Sequence, residues 1–157
     1  MPSGPRLEHV TLENVRAACL LRLEPEQEHL VAPVAYSLAD AYAARDIAWP
    51  RLIYDGDQLT GFVMAAFDPG NPERLYHCYL WRLNISADCQ GRGYGRFAVS
   101  ALADEAVRRG QHRMTVSYHP GAGGPEGFYA RLGFRPTGEQ IQGEAVAERL
   151  LAPAPAT

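Results

Sequence analysis

Six residues, Gln90-Gly91-Arg92-Gly93-Tyr94-Gly95, constrain this chain more than any other segment. They follow the apolar run Leu80-Trp81-Arg82-Leu83-Asn84-Ile85 and precede a helical pattern of Phe97, Val99, Leu102 and Ala106. A strand that runs into a glycine-dense turn and then a helix presents free backbone N–H groups at the positive end of the helix dipole. That arrangement binds phosphates. Glycine is needed there because a side chain would hold a diphosphate away from the amides.

Two familiar phosphate loops are excluded. A P-loop requires Gly-Lys followed by Ser or Thr, whereas Gly95 is followed by Arg96 and Phe97. A dinucleotide fingerprint spaces its glycines G-x-G-x-x-G in an early βαβ unit. Here the spacing is G-x-G-x-G, beyond mid-chain. Taken alone, the segment also reads as a glycine turn capping an ordinary helix. Q-G-R-G-Y-G resembles the Q/R-x-x-G-x-G/A acetyl-coenzyme A loop of the GNAT N-acetyltransferases.

A second segment, Gly127-Phe128-Tyr129-Ala130-Arg131-Leu132-Gly133-Phe134, is similar to the other hallmark of that family, a short Tyr-bearing helix ending at Leu-Gly-Phe. Pro125 suits the helix start, Gly133 its left-handed end, and Phe134 an anchor for the next strand. The two motifs stand in the expected order. The resemblance implies one α/β domain over residues 1–151, with a mixed central sheet, splayed central strands and flanking helices. Residues 152–157 are expected to form a disordered tail.

Composition limits the alternatives. A chain of 157 residues holds one sizeable core. No apolar run approaches the ~20 residues of a membrane span. The start, Met1-Pro2-Ser3-Gly4-Pro5-Arg6, lacks the basic-then-apolar layout of a signal peptide, so a cytoplasmic domain is expected. Net charge is −3 and every cation among the 15 basic residues is Arg. No basic stripe points to nucleic acid. Cys19, Cys78 and Cys89 are scattered, and the five histidines form no ligand pair, so no metal is expected. Cys19 and Cys78 read as small core residues.

Along the chain, the pattern predicts a strand over 7–10, a helix from Thr11, and a helix over 37–45. A hairpin follows, with strands 51–54 and 59–67 about Asp55-Gly56-Asp57. A long strand over 75–86, a helix over 93–109, a strand over 114–118, a strand from Phe134 and one over 146–151 complete the reading.

Residue by residue, the resemblance implies that the amides of Gly91, Arg92, Gly93, Tyr94 and Gly95, after Gln90 and with Arg96, hold the diphosphate of acetyl-coenzyme A. Arg92 adds a charged contact or is a solvated loop residue. Backbone groups at Asn84, Ile85 and Ser86 pair with the pantetheine arm, and the Ile85 N–H polarises the thioester carbonyl. Tyr129 stands where the family's general acid stands. The usual carboxylate base position is Trp81, which accepts no proton. Glu73, His77, Tyr79 or a water chain remain as substitutes. Where relatives often carry Asn before the Tyr helix, this chain has Ala122-Gly123-Gly124-Pro125, which implies weaker cofactor binding.

The stretches from Pro25 to Pro33 and Ser37 to Tyr42 resemble the bacterial spermine/spermidine acetyltransferases of the diamine type. That likeness implies a small-molecule amine acceptor walled by Glu26, Glu28, Asp40, Tyr36, Tyr42, Trp49 and Trp81. By residue type alone, Glu26 and Glu28 read as solvated surface, and Tyr36, Tyr42 and Trp49 as core. An antibiotic, amino-acid or protein amine, or a non-catalytic coenzyme A sensor, stays open. A homodimer is expected only by analogy.

Overall fold

The computed structural model describes residues 4–152. Its strands are β1 (Pro5–Glu8), β2 (Ala48–Asp55), β3 (Gln58–Ala66), β4 (Tyr79–Ile85), β5 (Arg113–Tyr118), β6 (Arg135–Ile141) and β7 (Glu144–Leu150). Its helices are α1 (Val15–Cys19), α2 (Val34–Ala43), α3 (Tyr94–Arg108) and α4 (Glu126–Arg131). The strands form one seven-stranded sheet ordered β1-β2-β3-β4-β5-β7-β6. Every neighbouring pair is antiparallel except β4–β5. This is the expected α/β architecture with a mixed sheet. No helix among the described residues is long and apolar enough to cross a membrane.

β3 is buried on both faces, and its residues alternate between two cores. Val63 and Ala65 pack with Val99 and Leu102 of α3, while Phe62 and Met64 pack with Ala18, Val34 and Ala41 of α1 and α2. Burial on both faces explains why β3 reads as a nearly continuous apolar run. The core stripe of α3 is Gly95, Ala98, Val99, Leu102, Ala103 and Ala106, at helical spacing.

The sheet opens in the middle. β4 and β5 pair only at Tyr79↔Thr115 and Leu80↔Val116. Beyond that point β4 stays with β3, from Arg82↔Met64 to Ile85↔Gly61. The register between β3 and β4 shifts by one residue there, leaving Trp81 as the extra residue of β4. A bulge increases local twist and re-aims side chains, and this one sits where the strands part.

Several boundaries differ from the sequence reading. The first strand is Pro5–Glu8, not 7–10. The helix expected from Thr11 is only Val15–Cys19. Asn14 Oδ1 accepts from the Thr11 N–H at 2.7 Å and its Nδ2 donates to the His9 carbonyl at 3.0 Å, holding the segment as a turn. Cys19 is exposed, because Ala18 takes the core position. α2 starts earlier than Ser37, after Pro33, and ends at Ala43. The long strand starts at Tyr79, not Leu75, because Arg74–Tyr76 forms a 3₁₀ turn. Most of the expected disordered tail, 153–157, lies outside the described residues.

Candidate active site

The glycine loop connects β4 to α3. Gly91 has φ 76° and Gly93, the N-cap of α3, has φ 88°, both in the left-handed region. No side chain caps this fifteen-residue helix. Its first amides are therefore free at the positive end of a dipole worth about half a charge. Gly95 solves a different problem. A Cβ there would lie 3.0 Å from the Phe128 ring, so its absence lets α3 and α4 approach. Tyr94 ties the loop to the β2–β3 hairpin by donating its hydroxyl to Asp55 Oδ2 at 2.6 Å.

Strand alternation decides which amides of β4 face the open slot. The Ser86 N–H donates to the Thr60 carbonyl at 2.8 Å, and Asn84 pairs with Phe62 of β3. Residues in between turn their backbone groups to the opposite edge, so Ile85 and Leu83 face the slot. The Ile85 carbonyl on that edge accepts from Gln90 Nε2 at 2.8 Å. Asn84 and Ser86 are thus not brought to the slot. Their amide groups face β3, and Asn84 Nδ2 donates to the Ala32 carbonyl at 3.0 Å.

Glycine loop and slot open into one cavity of about 550 Å³, whose walls include Ile85, Gln90, Gly91, Gly93, Arg96 and Tyr129. Tyr94 and Gly95 also line it, as do Gly123, Gly124 and Pro125 of the Asn-less loop. Arg92 does not. It is exposed on the outside of the turn. Tyr129 is 8% exposed. Its ring stacks on Tyr118 at 5.8 Å and meets Phe128 and Phe134 edge-on at 5.1 and 5.5 Å. Burial pushes its phenol well above the ordinary value, and the neighbouring Tyr79 and Tyr118 add to that rise. The fold thus favours the neutral phenol.

A second cavity of about 850 Å³ adjoins the first. The two share a wall that includes Tyr79, Trp81, Arg82, Ser117, His119 and Glu144. Glu28, Asp68 and Tyr36 line only the second cavity. Trp81 thus stands between the two, and Tyr36, 70% exposed, lines the second. Glu26 and Asp40 line neither cavity. Glu26 is exposed and Asp40 lies 3.7 Å from Arg82 in an ion pair. Tyr42 is exposed, not core, whereas Trp49 is buried at 6% exposure.

Of the substitute bases, Glu73 and His77 line neither cavity, and a His77 ring nitrogen is hydrogen bonded to the Asn71 carbonyl at 2.7 Å. Tyr79 lines both. Its hydroxyl lies 2.5 Å from Ser117 Oγ, which in turn donates to Glu144 Oε1 at 3.1 Å. His119 Nε2 lies 3.8 Å from Glu144 Oε2. Ser117, His119 and Glu144 were not legible as site residues. Polar residues at the carboxyl end of a parallel strand were an available signal for the first two. Glu144, at the start of β7, reaches the wall only through the β5–β7 pairing of Ser117 with Val146 and Tyr118 with Ala145.

Comparison with known proteins agrees with this geometry. The acetyltransferase (GNAT) family model matches residues 14–134. No curated protein matches the chain significantly in sequence. Among solved structures, an acetyltransferase from Thermus thermophilus is 23% identical, with a TM-score of 0.72 over 94% of this chain and 97% of that one. PaiA N-acetyltransferase from Thermoplasma acidophilum, in complex with coenzyme A, is 10% identical, with a TM-score of 0.71 over 94% and 99%. The ribosomal-protein-S18-alanine N-acetyltransferase from Escherichia coli is 14% identical, with a TM-score of 0.67 over 97% of each chain. These likenesses show a shared fold. With the family model spanning the glycine loop, the split sheet and the Tyr129 helix, the chain belongs to the GNAT family of acetyltransferases.

Proposed function

We propose that this acetyl-coenzyme A-dependent N-acetyltransferase moves the acetyl group directly to a primary amine of a polyamine such as spermine or spermidine. In this reading the amides from Gly91 to Gly95, with Arg96, hold the diphosphate. The Ile85 N–H, on the slot edge of β4, stabilises the oxyanion that forms as the amine attacks. The Tyr129 phenol then gives its proton to the departing thiolate.

One observation carries the proposal. The cavity that joins the glycine loop to Tyr129 meets a second cavity walled by the carboxylates of Glu28, Asp68 and Glu144. Carboxylates spaced along a groove favour a flexible polycation, and the Trp81 and Tyr36 rings offer faces to its ammonium groups. A homodimer is part of the same reading by analogy with the fold.

The test is thiol release from acetyl-coenzyme A against a panel of amines, with the acetylated product identified by mass. Turnover on spermine or spermidine above all other amines is expected. Turnover confined to amino acids, antibiotics or peptide N-termini would keep the mechanism and reject the polyamine. Binding of acetyl-coenzyme A without turnover on any amine would favour a sensor.

A further inference from the structure

We propose that Glu144 is the proton acceptor for the attacking amine, reached through the hydroxyls of Tyr79 and Ser117. The inference rests on the amine-acceptor reading above. The thioester must arrive from the glycine-loop cavity and the amine from the second one, so the amine loses its proton at their common wall. On that wall the Trp81 ring accepts no proton and Arg82 is a permanent cation. Tyr79, Ser117, His119 and Glu144 remain; hydrogen bonds join Tyr79, Ser117 and Glu144, and His119 Nε2 lies 3.8 Å from the Glu144 carboxylate.

Counting donors gives the chain a direction. Ser117 has one hydroxyl proton and donates it to Glu144 Oε1, so Tyr79 is the donor in its bond to Ser117. The lone pairs of Tyr79 are then free to accept from an amine. Burial, aided by the charge on Glu144, pushes the Tyr79 phenol above its ordinary value against the lowering effect of the Ser117 bond. Tyr79 therefore works as a neutral relay and not as a phenolate. The groups facing Glu144 are Ser117 and His119 beyond it at the end of β5, with Tyr79 and Arg82 on β4. His119 is about half exposed, which gives the proton an exit to solvent.

The step balances. The ammonium gives one proton to Tyr79 as the Tyr79 proton passes to Ser117 and the Ser117 proton to Glu144. The freed lone pair forms the C–N bond, the C–S bond breaks, and its electron pair leaves on sulfur. Tyr129 protonates that sulfur, and the second proton lost by the nitrogen restores the Tyr129 phenol through water. Glu144 returns its proton to solvent.

The experiment compares wild type, Glu144→Gln, Glu144→Asp and Ser117→Ala on two acceptors that wild type turns over. One is a strongly basic primary amine. The other is a weakly basic amine already neutral at assay pH. Glu144→Gln is expected to lower kcat on the basic amine roughly 100-fold or more, the usual scale of general base catalysis. On the neutral amine the loss shrinks to a few-fold. The mutant rate keeps climbing with pH where that of wild type levels off, and Glu144→Asp recovers part of the activity. Ser117→Ala, which leaves the carboxylate in place, shows the same dependence on amine basicity. Equal losses on both amines, or a Glu144→Gln rate within about two-fold of wild type, overturns the assignment. Absence of wild-type turnover on every amine overturns the acceptor reading beneath it, and the assignment falls with it.

Discussion

Tyr118 and Tyr129 stack with ring centroids 5.8 Å apart and planes inclined by 16°. β5 and α4 thereby fix the Tyr129 ring through its faces and edges, leaving the hydroxyl outside that packing. Among the described residues no hydrogen-bond partner for that hydroxyl is found, while those of Tyr79 and Tyr94 are engaged. Tyr129→Phe is therefore expected to lower kcat by about 10²–10⁴-fold. Affinity for acetyl-coenzyme A and the melting temperature change little, because the packing survives. Steady-state kinetics beside calorimetric binding separates the two effects.

Gly93 sits at φ 88°, where a Cβ meets no heavy atom within 4 Å but the backbone conformation itself is unfavourable. Gly93→Ala is expected to cost about 1 kcal/mol of stability. It also weakens acetyl-coenzyme A binding, since relaxing the backbone turns the loop amides away. Chemical unfolding and calorimetry on one preparation measure both.

How legible these parts were depended on how local their physics is. The glycine loop and the Tyr129 helix were legible because each is decided by a few consecutive residues. Phe134, 2% exposed, confirms the anchor expected after Gly133. The role of Asn84 and Ser86 was misread because strand alternation depends on which edge pairs with β3, and that is a tertiary fact. Cys19 looked like core by its residue type and helical pattern, but Ala18 takes the core position of that helix. Glu144 was invisible as a site residue because strand pairing, and no sequence spacing, carries it to Ser117.

The three thiols differ in burial, and labelling reads this directly. Cys19 is exposed, while Cys78 and Cys89 are buried. Iodoacetamide is expected to give a single adduct on the native protein, at Cys19, and three after denaturation.

Burial pushes the Cys78 thiol up to about 12, against a smaller opposing effect of Arg109. The fold thus favours the neutral thiol. That stability is fully present below the ordinary thiol pKa and is lost as pH rises from there through about 12. Cys78→Ala should flatten the alkaline fall in melting temperature over that window, whatever it does to stability at neutral pH.

Glu28 and Asp68 line the second cavity away from the wall it shares with the glycine-loop cavity. Glu28→Gln with Asp68→Asn is expected to raise KM for spermidine by several-fold, at roughly 1 kcal/mol or less per solvent-accessible charge. A simple monoamine should show no such change, and kcat should hold for both. Equal effects on both amines would reject the polyamine groove.

The most direct measurement is the rate of thiol release from acetyl-coenzyme A with spermidine, for wild type against Tyr129→Phe. The account predicts N-acetylated spermidine from wild type and a rate lower by about 10²-fold or more in the mutant, with cofactor affinity retained. Equal rates in the two proteins would contradict the assignment of Tyr129 as the acid that completes the transfer.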